Sequence, residues 1–107
     1  MSAITKAQKS KGDEYRKQAE NLLAKKSWFS TSNHRNAEDA AEMFEKAANA
    51  YKVGGLHQEA GDAYMNAAEV YRDKLSSHNE ASKSLNNAGK LWIPKTFNLL
   101  FLIIYVA

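Results

Sequence analysis

Cysteine is absent from this 107-residue chain. That excludes a disulfide-stapled scaffold, thiolate zinc sites and a cysteine nucleophile, and it suits a reducing compartment. Proline occurs once and glycine five times. A many-stranded β protein needs a turn roughly every 8–12 residues, so this punctuation is too sparse for one. The amino terminus, MSAITKAQKSKGDEYRK, lacks the apolar region of a secretory signal, and its few Arg and several acids make it a poor transit peptide. The apolar stretch Phe97–Ala107 falls short of the about 20 residues a helix takes to cross a bilayer. No GxxxxGKS/T, GxSxG or HExxH pattern occurs, and acids such as Glu38–Asp39 sit where a helix N-terminus accounts for them. The chain reads as a protein that is not an enzyme and needs no cofactor.

What is present is a globular balance of 44% hydrophobic and 25% charged residues. The formal net charge of +3 is local: residues 1–26 hold seven Lys/Arg against three Asp/Glu, and the remainder hold eight against nine. A basic leading segment favours anionic membranes or acidic protein surfaces, although a solvated helix face explains the charge equally well. With no Arg cluster, zinc finger or RNA-motif aromatics, nucleic acid is not an expected partner.

Internal repetition is the strongest signal. Ala40, Phe44, Ala47, Ala48 and Tyr51 share one spacing with Ala60, Tyr64, Ala67, Ala68 and Tyr71, and again with Ala81, Leu85, Ala88, Gly89 and Trp92. Each set falls at i, i+4, i+7, i+8 and i+11, the stripe on one face of a 3.6-residue helix. Small residues midway along each helix let axes approach, and rings or Leu beside them fill the space between neighbours. The pattern predicts an all-α fold, a tetratricopeptide-like right-handed α-solenoid of about four antiparallel helices. The rival reading is a set of unrelated amphipathic helices, which would seldom repeat five positions in register.

Local signals refine this. Tyr15, Ala19, Leu22 and Leu23 mark a basic first helix over about 5–26. A loop is expected over Ser27–Arg35, with Asn36 as the next N-cap and Asp39 three residues on. Gly54 and Gly55 supply a helix end and turn, and Ser77 with Glu80 has capping-box spacing. Ile93-Pro94 interrupts the last helix. The expected division is a repeat region over 1–92 and an apolar tail over 93–107. That tail could pack on the open end of the stack, touch a membrane, or drive aggregation. His57 and His78 occupy equivalent places three residues before Ala60 and Ala81, so a solenoid could bring them to one edge. With His34 far off and neither Cys nor clustered carboxylates to complete a site, no metal is expected.

The anomaly is Trp28-Phe29, adjacent rings in a polar stretch just after Lys25-Lys26. One reading is a hydrophobic clip closing helix one onto helix two. The other is a membrane-touching tip, with rings at the bilayer interface and lysines on anionic headgroups. At about 25 cal/mol/Å² over roughly 150–250 Å² per ring, full burial gives an upper bound near 4–6 kcal/mol each. Partial insertion gives far less, so such contact is weak and reversible and depends on a partner already on the membrane.

From about residue 10 to residue 90 the chain resembles the soluble NSF attachment protein family of α-SNAP/Sec17 type. The likeness rests on the basic first helix, the pair Trp28-Phe29, the run from Glu38 to Lys52 (EDAAEMFEKAANAYK), the word AGDAYMNAA from Ala60 to Ala68, and Ser77-His78-Asn79-Glu80-Ala81. The resemblance implies an adaptor of intracellular membrane fusion, cytoplasmic and peripheral on endomembranes. Such an adaptor lays the concave face of a helical sheet along a syntaxin-type SNARE bundle. It recruits the AAA ATPase NSF to disassemble that bundle during vesicle transport. The family's membrane-contacting loop transfers to Trp28 and Phe29, flanked by Lys25 and Lys26; no individual SNARE-contacting lysine transfers. Family members are several times longer, and their C-terminal residues stimulate NSF. The tail here resembles nothing in the family, which implies a truncated or aberrant continuation without that stimulation. The alternative from another class is a generic TPR-like scaffold for protein–protein interaction.

Overall fold

A computed structural model describes residues 1–25 and 30–91. Every regular element among them is helical: α1 (Ala3–Ala24), α2 (Ser30–Val53), α3 (His57–Asp73) and α4, helical from 78 to 91. The architecture is an all-α, solenoid-like stack. No helix among the described residues is long and apolar enough to cross a membrane. Trp92 and the apolar tail lie outside the described residues.

Contacts between successive helices run in opposite register, as short connections require. Gly12 and Asp13 in the middle of α1 meet Tyr51 near the end of α2, and Gln8, further back, meets Gly54 beyond it. Leu22 and Leu23 at the end of α1 share a cluster with Ala37 and Ala40 early in α2. The same antiparallel order joins α2 to α3, where Asn49 bonds Tyr64 and the earlier Glu45 bonds the later Tyr71.

The repeat stripe is the core. Ala40, Ala47, Ala48, Tyr51, Ala60 and Ala67 are wholly buried, with Phe44 and Tyr64 nearly so. One cluster gathers Ala19, Ala37, Ala41, Phe44, Ala67 and Val70; the other gathers Ala48, Tyr51, Ala60, Ala63, Tyr64 and Ala88. Each draws on three helices, so an inner helix packs on both neighbours. In the third set Ala81 and Ala88 are buried, but Leu85 remains 43% exposed. That contrast marks the outer face of α4.

Helix boundaries follow capping chemistry, with one correction. Ser2 caps α1, its hydroxyl accepting from the Thr5 N–H at 3.1 Å. The end of α2 is a Schellman turn: Leu56 N–H bonds Tyr51 carbonyl at 2.8 Å, Gly55 N–H bonds Lys52 carbonyl at 3.0 Å, and Gly55 takes φ +76°. Ser77 precedes α4, its carbonyl accepting from Ala81 at 3.0 Å. The loop expected over Ser27–Arg35 is instead largely helix, because α2 begins at Ser30. Asn36 is therefore interior to the helix and does not cap it. The polar run Ser-Thr-Ser-Asn has loop composition, but the helix continues through it with Thr31 to Arg35 exposed, and His34 and Glu38 pair at 2.9 Å one turn apart.

Gly12 carries a close approach that the repeat pattern did not reveal. A Cβ at this position would lie 2.5 Å from Cε1 of Tyr51, whose ring is fully buried. Within a helix, Gly→Ala ordinarily stabilises by about 1 kcal/mol. Gly12→Ala is expected to do the opposite, lowering stability by about 1–3 kcal/mol through overpacking, as read by urea unfolding. A stabilised Gly12→Ala variant would show that the α1–α2 contact is looser than described.

Candidate functional site

The site is built from the end of the α1–α2 hairpin and the charged faces beside it. Lys25 is the C-cap of α1, extended in backbone conformation and exposed, its N–H reaching the Leu22 carbonyl at 3.3 Å. Lys26, Trp28 and Phe29 lie outside the described residues. Four residues separate Lys25 from the first residue of α2. Behind this end, Leu22 and Leu23 pack with Ala19, Ala37 and Phe44.

Along α1 the basic side chains do different things. Lys6, Lys11 and Lys17 are exposed. Lys9 is engaged by Asp13 at 2.9 Å across one helical turn. Asp13 also accepts the Tyr51 hydroxyl, so one carboxylate links a surface lysine to the buried ring of the next helix. Its bonds from Lys9 and Tyr51 hold the Asp13 carboxyl below the usual range. Burial, then the bond to Asp13, pushes the Tyr51 hydroxyl up to about 12.

Two more tyrosines repeat this arrangement between α3 and α2. Tyr64 donates to Asn49 Oδ1 at 2.9 Å and Tyr71 to Glu45 Oε1 at 2.7 Å. Both hydroxyls are raised above their ordinary value, chiefly by burial, with the Glu45 charge adding to it. In each case a ring fills the interface and its hydroxyl ends on a polar group of the preceding helix. This satisfies the polar tip that a buried tyrosine must accommodate.

A groove of about 580 Å³ lies where α2, α3 and the start of α4 meet, lined by His34, Glu38, Glu42, Tyr71, Leu75 and Glu80 among others. Its walls carry carboxylates, one imidazole and the Ser77 and Tyr71 side chains. His57 and His78 are exposed at the starts of α3 and α4, and His34 pairs with Glu38 instead of joining them. Among the described residues, no three His, Cys, Asp or Glu side chains are placed to hold a metal ion.

With this geometry in place, comparison with known proteins is direct. The model of the soluble NSF attachment protein family, SNAP, matches residues 10–96. The chain belongs to the soluble NSF attachment protein family. Over 78 residues it is 31% identical to the probable vesicular-fusion protein sec17 homolog of Neurospora crassa, covering 70% of this chain and 27% of that protein. Over 79 residues it is 32% identical to the alpha-soluble NSF attachment protein of Vitis vinifera, covering 74% of this chain and 26% of that one. It thus spans about a quarter of the length of these SNAP relatives. No solved structure matches the chain significantly.

Reading the sequence located the rings of this SNAP chain but missed their polar partners Asp13, Glu45 and Asn49, which are distant in sequence. The one available hint was a lone glycine inside a helical pattern, Gly12, which commonly marks close packing. The ties predict a pH dependence of defined sign. A carboxyl lowered by folding contributes stability that is complete above the ordinary carboxylate range and is lost as pH falls through its folded value. Unfolding midpoints should therefore drop in acid, and Asp13→Asn should flatten part of that drop. At the alkaline end, Tyr51 holds its proton from about 10 to about 12 in the folded state, so its contribution disappears as pH rises through about 12. In an absorbance titration of tyrosinate, Tyr51→Phe should remove one late-titrating ring; loss of an early one would contradict the arrangement.

Proposed function

We propose that this chain acts as a non-enzymatic adaptor in SNARE disassembly during vesicle-mediated transport. It binds a syntaxin-type SNARE bundle along its helical stack and works with an NSF-type AAA ATPase. It sits peripherally on endomembranes, in the cytoplasm. The observation that carries this reading is the SNAP family match over residues 10–96. The relatives' names, a vesicular-fusion protein and an NSF attachment protein, support the same direction.

The mechanism follows from the stack. Interlocked helices hold charged side chains at fixed spacing, so a rigid face can meet the charged surface of a helical bundle without ordering itself first. Exposed lysines of α1 steer that encounter and make it sensitive to salt. Trp28 and Phe29, flanked by Lys25 and Lys26, contact the membrane. Reading them as a membrane contact is supported by the apolar filling that helix residues already give the adjoining cluster, from Leu22, Leu23 and Ala37. Weak insertion of two rings then adds to SNARE binding by raising the effective concentration. In this proposal residues 1–92 are the repeat region and 93–107 a separate apolar tail.

Two measurements test it. In flotation with vesicles containing anionic lipid and reconstituted SNARE bundles, Trp28→Ser with Phe29→Ser should reduce recruitment several-fold. Unchanged recruitment would sink the membrane contact. In pull-down with the assembled bundle in solution, retention should fall steeply as salt rises from low to physiological strength. Salt-insensitive capture of short peptides, with no retention of the bundle, would favour a generic repeat scaffold.

A further inference from the structure

A second groove, of about 280 Å³, runs between α1 and α2. Lys11 and Tyr15 form one wall, Lys46, Asn49, Ala50 and Val53 form the other, and Gln8 completes the lining. Lys11 and Tyr15 are one turn apart, and the α2 residues fall at i, i+3, i+4 and i+7, so each set lies on one side of its helix. The α2 set covers two turns, about 10 Å of helix. Ala50 is buried and Tyr15 packs on the cluster that holds Ala47 and Tyr51, so the groove sits on a firm base. Val53 stays 69% exposed beside it.

The free polar groups of this groove are chiefly donors. Lys11 and Lys46 are exposed, and among the described residues neither makes an ion pair or a hydrogen bond. Glu14, three residues after Lys11, and Glu42, one turn before Lys46, stand outside the lining. Tyr15 differs from the other three described tyrosines. The hydroxyls of Tyr51, Tyr64 and Tyr71 end on Asp13, Asn49 and Glu45, whereas that of Tyr15 has no partner among the described residues. Asn49 accepts from Tyr64 through Oδ1, which leaves its amide NH₂ to donate. No carboxylate lines the groove. Two ammonium groups, a phenol and an amide thus share one cleft with an apolar strip from Ala50 and Val53.

We propose that this groove receives the Asp or Glu side chains of an acidic helix in a protein partner. Lys11 and Lys46 hold the carboxylates, Tyr15 and Asn49 donate to them, and Val53 meets an apolar side chain of the same helix. Charge complementarity selects the sign of the occupant, and the apolar strip selects its kind. A small anion would use the ammonium groups and leave Ala50 and Val53 in water. A helix with carboxylates one turn apart and an apolar residue beside them matches both parts, and the channel between two antiparallel helices takes a third helix along its length. The proposal deepens the adaptor reading and rests on it for one point, that the acidic helix belongs to the SNARE bundle.

The test uses the full chain and two probes: the assembled SNARE bundle, and a designed helical peptide with glutamates at i and i+4 and leucines on the same face. Lys11→Gln with Lys46→Gln should weaken binding about threefold to tenfold, the range for two partly exposed charge pairs. Lys74→Gln with Lys90→Gln removes equal charge from exposed positions of α3 and α4 and should change binding by less than about twofold. Carbodiimide, which joins amines to carboxylates in contact, should couple Lys11 or Lys46 to the probe, as read by mass spectrometry. Neither probe weakened beyond the control pair, or no coupling at Lys11 and Lys46, would overturn the proposal. So would displacement by inorganic phosphate beyond that by chloride at matched ionic strength, which assigns the groove to a small anion. The two readings fail separately. Peptide bound through Lys11 and Lys46 with the bundle not retained keeps the groove and removes the adaptor, whereas a bundle retained equally by both double variants with the peptide unbound does the reverse.

Discussion

Close approach between helices is the constraint on which this structure depends. The interior is mostly alanine, and alanine contributes little apolar area by itself, so the axes must come near enough for single methyl groups to touch across the interface. A glycine and two pairs of alanines set that distance. At Gly12 the helix has no side chain at all, and the ring of Tyr51 lies against its backbone. At Ala47 and Ala48, and again at Ala67 and Ala68, paired small residues leave room for Tyr51, Tyr64 and Phe44 to fill the intervening space. Small residues and rings are complementary parts of one packing scheme, and enlarging the former would displace the latter.

The rings bring a second consequence. Tyr51, Tyr64 and Tyr71 place their hydroxyls on Asp13, Asn49 and Glu45, each time on the preceding helix. Apolar packing alone resists sliding weakly, since one methyl resembles the next along an alanine stripe. A directed bond to a particular polar group gives the interface a preferred register. The same bonds hold polar groups at fixed places near the surface.

Much of this was legible in the residues. The stripe from Ala40 to Tyr51 and its second copy from Ala60 to Tyr71 marked the buried faces of α2 and α3, and Gly55 marked the turn between them. The start of α2 was not legible. Ser30-Thr31-Ser32-Asn33 has loop composition, yet the helix runs through it. Leu85 shows the opposite limit: its repeat position matches Phe44 and Tyr64, yet its exposure follows from what packs on α4. Of the site read from the residues, Lys25 is found at the C-cap of α1, just past the last helical residue and close to the helix end expected at about residue 26.

Periodicity alone determined that α2 and α3 are helical and which face of each is buried, because a 3.6-residue stripe and its recurrence are properties of order along the chain; the family likeness lay in particular residue words, such as EDAAEMFEKAANAYK and AGDAYMNAA. Tertiary structure decided why Gly12 is a glycine and which polar group receives each tyrosine. Those outcomes depend on atoms brought together from positions up to 38 residues apart, and spacing within one helix carries no record of what its neighbour presents.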